Sequence, residues 1–506
     1  MSSAASSDPE NATFSSLLKS SGEIDDIAQQ QQQPLLNGVL QEETYSVLAT
    51  VFPFLFPALG GLLYGYDIGA TSCATISIVS ETLSGITWYD LNTIQIGLIS
   101  SGSLYGALIG SALAFSVADF LGRRKELITA AVLYFVGALI TGLSPDFAIL
   151  VIGRLVYGLG IGLAMHAAPM YIAETAPSRI RGRLISLKEF FIVIGMVIGY
   201  TVGSLLVDTV SGWRYMYGAS SPISVVMAIG VWWLPASPRW LLLCAIQGKG
   251  SLEELKAAAI CCLCRLRGPA IGDTGPQQVD EMLTEISCAC EEKEISIGEM
   301  LQGKYLKALF IGVGLVIFQQ ITGQPSVLYY AASILKSAGF SEASDSTRVS
   351  ILLGVFKLIM TGTAVLVVDK LGRRPLLLGG VSGLAISLFL LGSYYKFLDN
   401  APAVAVVALL LYVGCYQLSF GPIGWLMISE IFPLRMRGRG LSIAVVANFG
   451  ANAIVTFAFS PLKSLIGAAN VFFMFGGIAV LSLVFIYFII PETKGLSLEE
   501  IEAKLL

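Results

Sequence analysis

Twelve runs of about twenty mainly apolar residues, each long enough to cross a bilayer as a helix, dominate this 506-residue chain. Six precede a polar stretch at 239–304: 48–70, 95–118, 126–143, 147–168, 184–207 and 217–235. Six follow it: 306–332, 350–368, 376–396, 403–428, 441–461 and 470–490. A water-soluble fold could not hide them, because only 13% of the residues are charged, against roughly 25% in soluble domains. In lipid the backbone must satisfy its own polar groups, which selects helices. The 53 glycines suit helices that touch closely. The expected fold is therefore an all-α membrane protein, twelve transmembrane helices in two six-helix bundles. A net charge of −4 leaves no case for a nucleic-acid partner.

The ends and the middle differ from the spans. Residues 1–46, with the tract Gln29–Gln33, read as a disordered tail. That tail has neither the basic start and apolar core of a signal peptide nor the arginines of a transit peptide. The expected division is this tail, a bundle at 47–238, a linker at 239–304, a bundle at 305–490 and a polar tail at 491–506. In the linker, Ser251-Leu252-Glu253-Glu254 has the form of a capping box. Leu252, Leu255, Ala259, Cys262 and Leu266 then recur at helical spacing, and Val279, Met282, Leu283 and Ile286 form a second amphipathic run. Both are expected as short helices lying at the cytosolic face. Cys244, Cys261, Cys262, Cys264, Cys288 and Cys290 fall in this stretch, where a reducing cytosol argues against disulfides.

Lysine and arginine placement sets orientation. With the N-terminus inside, the inner loops hold Arg123, Arg124, Lys125, then Arg179, Arg181, Arg183, then Lys370, Arg373, Arg374, then Arg435, Arg437, Arg439. Both termini are then cytosolic.

Two motifs occur twice. Asp119-x-x-Gly122-Arg123-Arg124 returns as Asp369-x-x-Gly372-Arg373-Arg374, and Glu174-x-x-Pro177-x-Arg179-x-Arg181 returns as Glu430-x-x-Pro433-x-Arg435-x-Arg437. The second copies lie 250 and 256 residues further on. Such spacing predicts a duplication: two related bundles with a solute path between them. The acids beside each basic group can pair with guanidiniums at the helix ends. Asp119, Arg123, Arg124, Glu174, Arg181, Asp369, Arg373, Arg374, Glu430 and Arg437 are thus candidates for a cytosolic gate. Basic residues alone would satisfy a purely topological role.

Ionisable groups inside a span are expensive and point to function. Asp67 in span one and Arg154 in span four carry opposite charges and are expected to pair. A nearby arginine favours the ionised acid, burial the neutral one, so protonation could switch the pair. Lys357 in span eight is expected to snorkel to the outer face, and His166 to be a hydrogen-bonded filler. Span seven offers Gln319, Gln320, Gln324, Ser326, Tyr329 and Tyr330 around a break at Gly323 and Pro325. Spans ten and eleven add Tyr416, Phe420, Trp425, Asn448, Phe449 and Asn452. Amides with flat apolar rings suit a polyhydroxylated solute. Tyr64, beside Asp67, and Glu189 in span five complete the candidate binding set.

These residues resemble the sugar-porter branch of the major facilitator superfamily. The resemblance rests on the two Asp-x-x-Gly-Arg-Arg copies, Pro169-Met-Tyr-Ile-Ala-Glu174, Gln319-Gln320-x-x-Gly323, Glu430-Ile-Phe-Pro433 and Pro491-Glu-Thr-Lys-Gly495, and covers about 48–500. It is nearest the plant vacuolar glucose transporters and D-xylose–proton symporter-like proteins. The resemblance implies alternating access, a hexose or pentose substrate, frequent proton coupling and no cofactor. It implies that Asp67 binds the proton with Arg154 as partner, that Gln319 and Gln320 hold sugar hydroxyls, and that Trp425 stacks at the sugar. The chain departs from the family pattern at Glu189 and Pro325, where glutamine and asparagine are usual. Phe420 and Asn448 replace a tryptophan and a glutamine, and Ala236 replaces a glutamate. Partners are then the sugar, protons and the bilayer, with the monomer as working unit and the vacuolar membrane ahead of the plasma membrane. A uniporter and a non-transporting sugar sensor are the alternatives; one histidine and no acid–base cluster argue against an enzyme.

Overall fold

In a computed structural model the chain is described over residues 47–176, 178–267, 274–291, 297–340, 343–397, 401–433 and 437–494, and is helical over almost all of them. The tail at 1–46 and the segment beginning at Ser497 lie outside the described residues. Ten helices are long and apolar enough to cross a bilayer. Gly212–Trp233 makes an eleventh crossing before turning by 61° into Pro238–Ile246. Span one, Val47–Ile78, is the twelfth, its apolar run diluted by Asp67 and by Gly and Tyr residues.

Most spans run longer than their apolar runs. Span two covers Thr93–Leu121, span four Phe147–Thr175, span five Ser178–Leu206, span eight Ala343–Leu371 and span eleven Arg437–Ile466. The extra turns carry polar loop residues, which a helix extends into without cost once its neighbours support it. Span three, Arg123–Gly142, and span nine, Arg373–Phe397, begin at the two copies of the Gly-Arg-Arg motif. Gly122 has φ +78° and Gly372 φ +97°, a conformation that costs other residues a Cβ clash. The repeated glycine thus makes the same sharp turn in both halves.

Three spans are broken. Span seven runs as Gly303–Ile321, Gln324–Tyr329 and Ala331–Ser337. Gly323 sits at φ +92° and Pro325 restarts the helix in its first turn, where a missing N–H costs nothing. Span ten divides into Pro402–Leu418 and Phe420–Ile431, with Ser419 between them. The break falls just before Gly421-Pro422. Span six divides into Gly212–Gly218 and Ser221–Trp233.

Glycines let the first-half spans touch backbone to backbone. A Cβ on Gly65 of span one would lie 1.7 Å from the Ile192 carbonyl oxygen of span five, and one on Gly195 lies 2.0 Å from that of Leu62. On spans two and four, Gly158 stands in the same relation to the Ser103 carbonyl, at 2.0 Å. No rotamer relieves a clash with backbone, so Gly65→Val must push the helices apart. Overpacking typically costs about 1–3 kcal/mol, and a backbone clash belongs at the top of that range. The expected outcome is a sharp loss of monodisperse protein on size exclusion in detergent.

The linker helices cover one another. Leu242 on Pro238–Ile246, Ala259 and Leu263 on Leu252–Arg267, and Val279 on Gly275–Glu291 form a small core, with Met282, Leu283 and Ile286 against it. Ion pairs Arg239–Glu285 and Lys256–Asp280, both at 2.5 Å, tie its rim. The amphipathic runs of the sequence are these two longer helices.

Candidate functional site

Asp67 and Arg154 meet in the middle of the first bundle, 2% and 1% exposed. Gly102 of span two clears the way: a Cβ there would stand 2.9 Å from that of Arg154. The guanidinium grips the carboxylate by both ends, Nη1 on Oδ1 and Nη2 on Oδ2, the latter at 3.2 Å. Ser103 donates to Oδ2 at 2.7 Å and accepts from Nη2 at 3.0 Å. Nε donates to the Ile99 carbonyl at 3.1 Å, and the Tyr217 ring lies 5.1 Å from Cζ. Every nitrogen of the arginine has a partner, which a buried charge requires. Beside the pair, a void with room for about one water is lined by Tyr66, Thr141, Tyr217 and Ser220. The Tyr217 hydroxyl has no hydrogen-bond partner among the described residues and is placed to hold such a water.

Ser103 and Tyr217 were not singled out by sequence. Span two carries Ser100, Ser101, Ser103 and Ser111 in a glycine-rich run, and nothing in the pattern separates a serine that bonds a carboxylate from one that merely lets helices approach.

A second cluster joins spans one, seven, ten and eleven at the same depth. Gln319 donates from Nε2 to the Phe420 carbonyl at 2.8 Å, and Gln320 from Nε2 to Asn448 Oδ1 at 2.6 Å. Each amide nitrogen is thus engaged while each Oε1 is left without a partner. The Tyr329 and Tyr330 hydroxyls are likewise buried, beside the hydroxyls of Ser103 and Ser100 of span two but without a well-formed hydrogen bond to them. Tyr64 meets Phe449 edge to face, centroids 6.3 Å apart. Phe420 is fully buried, and Trp425 is half-buried against the second-half core. Gln324 is half-buried at the start of the middle piece of span seven. Glu189 is 51% exposed and 3.5 Å from Lys188. Unpaired acceptors and hydroxyls beside aromatic faces are what a neutral polyhydroxylated solute needs.

Contacts that seal the bundles lie on the far side of this cluster from the basic loops. Ser72 accepts from the Ala332 N–H at 3.1 Å, and Tyr200 donates to the Leu328 carbonyl at 2.8 Å. Beyond them opens a vestibule of about 330 Å³, with Tyr330 in its wall and Lys336 and Lys463 around it.

At the basic end the two halves repeat in three dimensions. Arg123 pairs with Glu174 and Arg373 with Glu430, each at 3.0 Å. Arg124 donates to the Trp232 carbonyl and faces that ring at 5.9 Å; Arg374 donates to the Tyr487 carbonyl at 2.6 Å and faces that ring at 5.7 Å. The side chains of Asp119, Arg181, Asp369 and Arg437 lie outside the described residues. Every ion pair described at this end joins residues of one bundle. His166 bonds Glu126 at 2.9 Å through Nδ1, as expected of a filler.

The second half has a helix cap that the first lacks. Glu492 accepts from the backbone N–H groups of Arg373 and Arg374 at 3.2 and 3.1 Å, capping span nine from the far end of the chain. Its counterpart is Ala236, and the Trp240 ring fills the space over Gly122. Burial opposes the charge of Glu492, but the N–H groups of Lys494, Arg373, Arg374 and Thr493 outweigh it and hold the carboxyl below its usual range. Its contribution is therefore present above the ordinary glutamate range and lost as pH falls through the lowered value. Glu492→Ala should cost about 1 kcal/mol, as other lost helix caps do. Melting curves of wild type and variant should differ at neutral pH and converge as pH falls through that lowered value.

Comparison with known proteins fits this geometry. The family described as "Sugar (and other) transporter" matches residues 54–505. D-xylose-proton symporter-like 2 of Arabidopsis thaliana is 69% identical over 96% of both chains, and D-xylose-proton symporter-like 1 of the same plant is 66% identical over 99% of both. The xylose transporter XylE from E. coli, in a partially occluded inward open conformation, aligns with a TM-score of 0.73 at 30% identity, covering 88% of this chain and 99% of that one. With the sugar-analogue-bound form of the same symporter the TM-score is 0.71. The chain accordingly belongs to the sugar transporter family, within the major facilitator fold.

Proposed function

We propose that this transporter carries a monosaccharide, a hexose such as glucose or the pentose xylose, together with a proton bound at Asp67. The buried Asp67–Arg154–Ser103 cluster carries this reading. It holds a carboxyl group inside the first bundle, one turn along span one from Tyr64, which meets Phe449 of the other half. Sugar and proton then bias one equilibrium between two arrangements of the bundles, which is what coupling means. Gln319, Gln320, Gln324, Glu189, Tyr329, Tyr64 and Asn448 supply polar contacts to the sugar, and Phe420 and Trp425 apolar surface. The relatives named as D-xylose-proton symporter-like support the substrate class. The pairs Arg123–Glu174 and Arg373–Glu430 belong to the gate on the side of the basic loops, which we assign to the cytosol together with both termini. A vacuolar membrane is the assigned location, although one relative, 64% identical, is named as chloroplastic. The monomer is the transporting unit.

The test is uptake of labelled glucose, fructose and xylose into proteoliposomes, with and without an imposed pH gradient. Uptake driven above the outside concentration by the gradient supports symport. Uptake that only equalises the two sides makes the pair structural and the protein a uniporter, and no uptake of any sugar removes the reading. Gln320→Ala removes an unpaired acceptor at the sugar and should raise KM by about 10–100-fold, the equivalent of roughly 1–3 kcal/mol. Initial rates against sugar concentration check it.

A further inference from the structure

Lys357 is a charged group inside the spans with no part in the proposed transport cycle. Lys357 does not reach the far face of the membrane. Span eight packs along span five, where Gly354 would place a Cβ 3.1 Å from Val197 and 3.2 Å from the Tyr200 ring. That contact turns Lys357, one turn nearer the basic end, into the interior, 8% exposed. No hydrogen bond or ion pair to its ammonium is found among the described residues. A lysine in that condition gives up its proton or meets an anion in another arrangement of the spans.

Glu189 is the one acid in span five, on the opposite bundle. The two helices are antiparallel. Lys357 stands three residues towards the basic end from Gly354, and Glu189 eight residues towards that end from Val197. At 1.5 Å per residue the difference along the axis is roughly 7 Å, about the reach of a lysine stem and its ammonium. In this structure Glu189 is turned to Lys188 and half-exposed. The hydrogen bonds described between the bundles at Ser72 and Tyr200 lie towards the other end.

We propose that Lys357 is a positioning residue for transport: it takes the Glu189 carboxylate across the seam between spans five and eight when the cytosolic side closes, and releases it in the arrangement described here. The pair forms between bundles, unlike Arg123–Glu174 and Arg373–Glu430, which lie within them. It therefore reports, and favours, closure of the inner side. While open, Glu189 is available to sugar hydroxyls; closing returns it to Lys357 and takes that acceptor from the solute. The proposal rests on sugar transport by alternating access, and its test is separable from the test of that reading.

Wild type, Lys357→Met, Glu189→Gln, Lys357→Arg and the double variant Lys357→Met/Glu189→Gln are compared in proteoliposomes with labelled sugar, each first checked for monodispersity and melting temperature. Lys357→Met and Glu189→Gln should each lower the maximal rate about tenfold, with KM moving less for Lys357→Met. Lys357→Arg should stay within about threefold of wild type, and the double variant should be no slower than the slower single variant. A double variant as slow as the product of the two single losses overturns the pair. So does a Lys357→Arg variant as slow as Lys357→Met, a comparison that stands even where the double variant does not fold. A wild type that carries no sugar defeats the transport reading itself, whatever the variants do.

Discussion

Asp67→Asn is expected to end the accumulation of sugar against its gradient while leaving sugar exchange across the vesicle wall in place. Asparagine keeps the shape of the acid, and its one oxygen can still accept from Ser103 and one nitrogen of Arg154 while the second nitrogen loses its acceptor. It cannot take up or release a proton. With one proton per sugar, each pH unit across the membrane is worth about 1.4 kcal/mol, so a gradient of two units supports roughly hundredfold accumulation. The variant should stop at equal concentrations, a loss of the whole factor, and sugar addition should no longer alkalinise the outer medium. Exchange needs only the loaded form to cross, and the loaded form of the wild type is the neutral acid that asparagine imitates. The remaining nitrogen contacts of Arg154, to Ile99 and Ser103 and over the Tyr217 ring, soften the cost of an uncompensated guanidinium. Continued accumulation in this variant would place the proton elsewhere.

Much of the fold could be read from the chain because its governing signals are local. A run of twenty apolar residues declares a span wherever it occurs, but spans three and nine, expected from 126 and 376, begin at Arg123 and Arg373, directly after the turns at Gly122 and Gly372. The break in span seven was visible as Gly323 and Pro325. The interruption of span ten at Ser419 and of span six near Ser220 was not, because serine does not announce a helix end. Asp67 and Arg154 were legible as a pair because two opposite charges in a greasy core have few other solutions. Ser103, which joins them, was not, since a serine in such a span is usually only small. Lys357 was misplaced for a similar reason: snorkelling is the cheap course for an isolated helix, and only the packing of Gly354 on Val197 and Tyr200 denies it. The cap that Glu492 places on span nine spans 118 to 119 residues, and a contact at that range leaves no periodic trace. Its motif was recognisable, its task was not.

Arg154→Leu should be the most damaging single change in the first bundle, and its damage should be repaired in part by a second. Removing the arginine strips Asp67 of both nitrogen contacts and leaves Ser103 as its remaining described partner, at 2% exposure. Breaking one side of a buried ion pair typically costs about 3–5 kcal/mol, because the surviving charge is stranded, whereas replacing both partners with neutral groups is often close to neutral. Leucine fills much of the stem volume, so cavity formation beside Tyr217 and Ile99 adds little. The expected order of melting temperatures in detergent is wild type, then the double variant Asp67→Asn/Arg154→Leu, with Arg154→Leu lowest. The double variant should regain most of the loss, an interaction energy well above the few tenths of a kcal/mol expected of independent sites. Arg154→Lys tells charge from geometry: one ammonium cannot span both carboxylate oxygens and the Ile99 carbonyl together, so it should restore part of the stability and less of the coupling. If the two single losses simply add, the pair is not the unit that holds this bundle, and the proton switch loses the element it acts on.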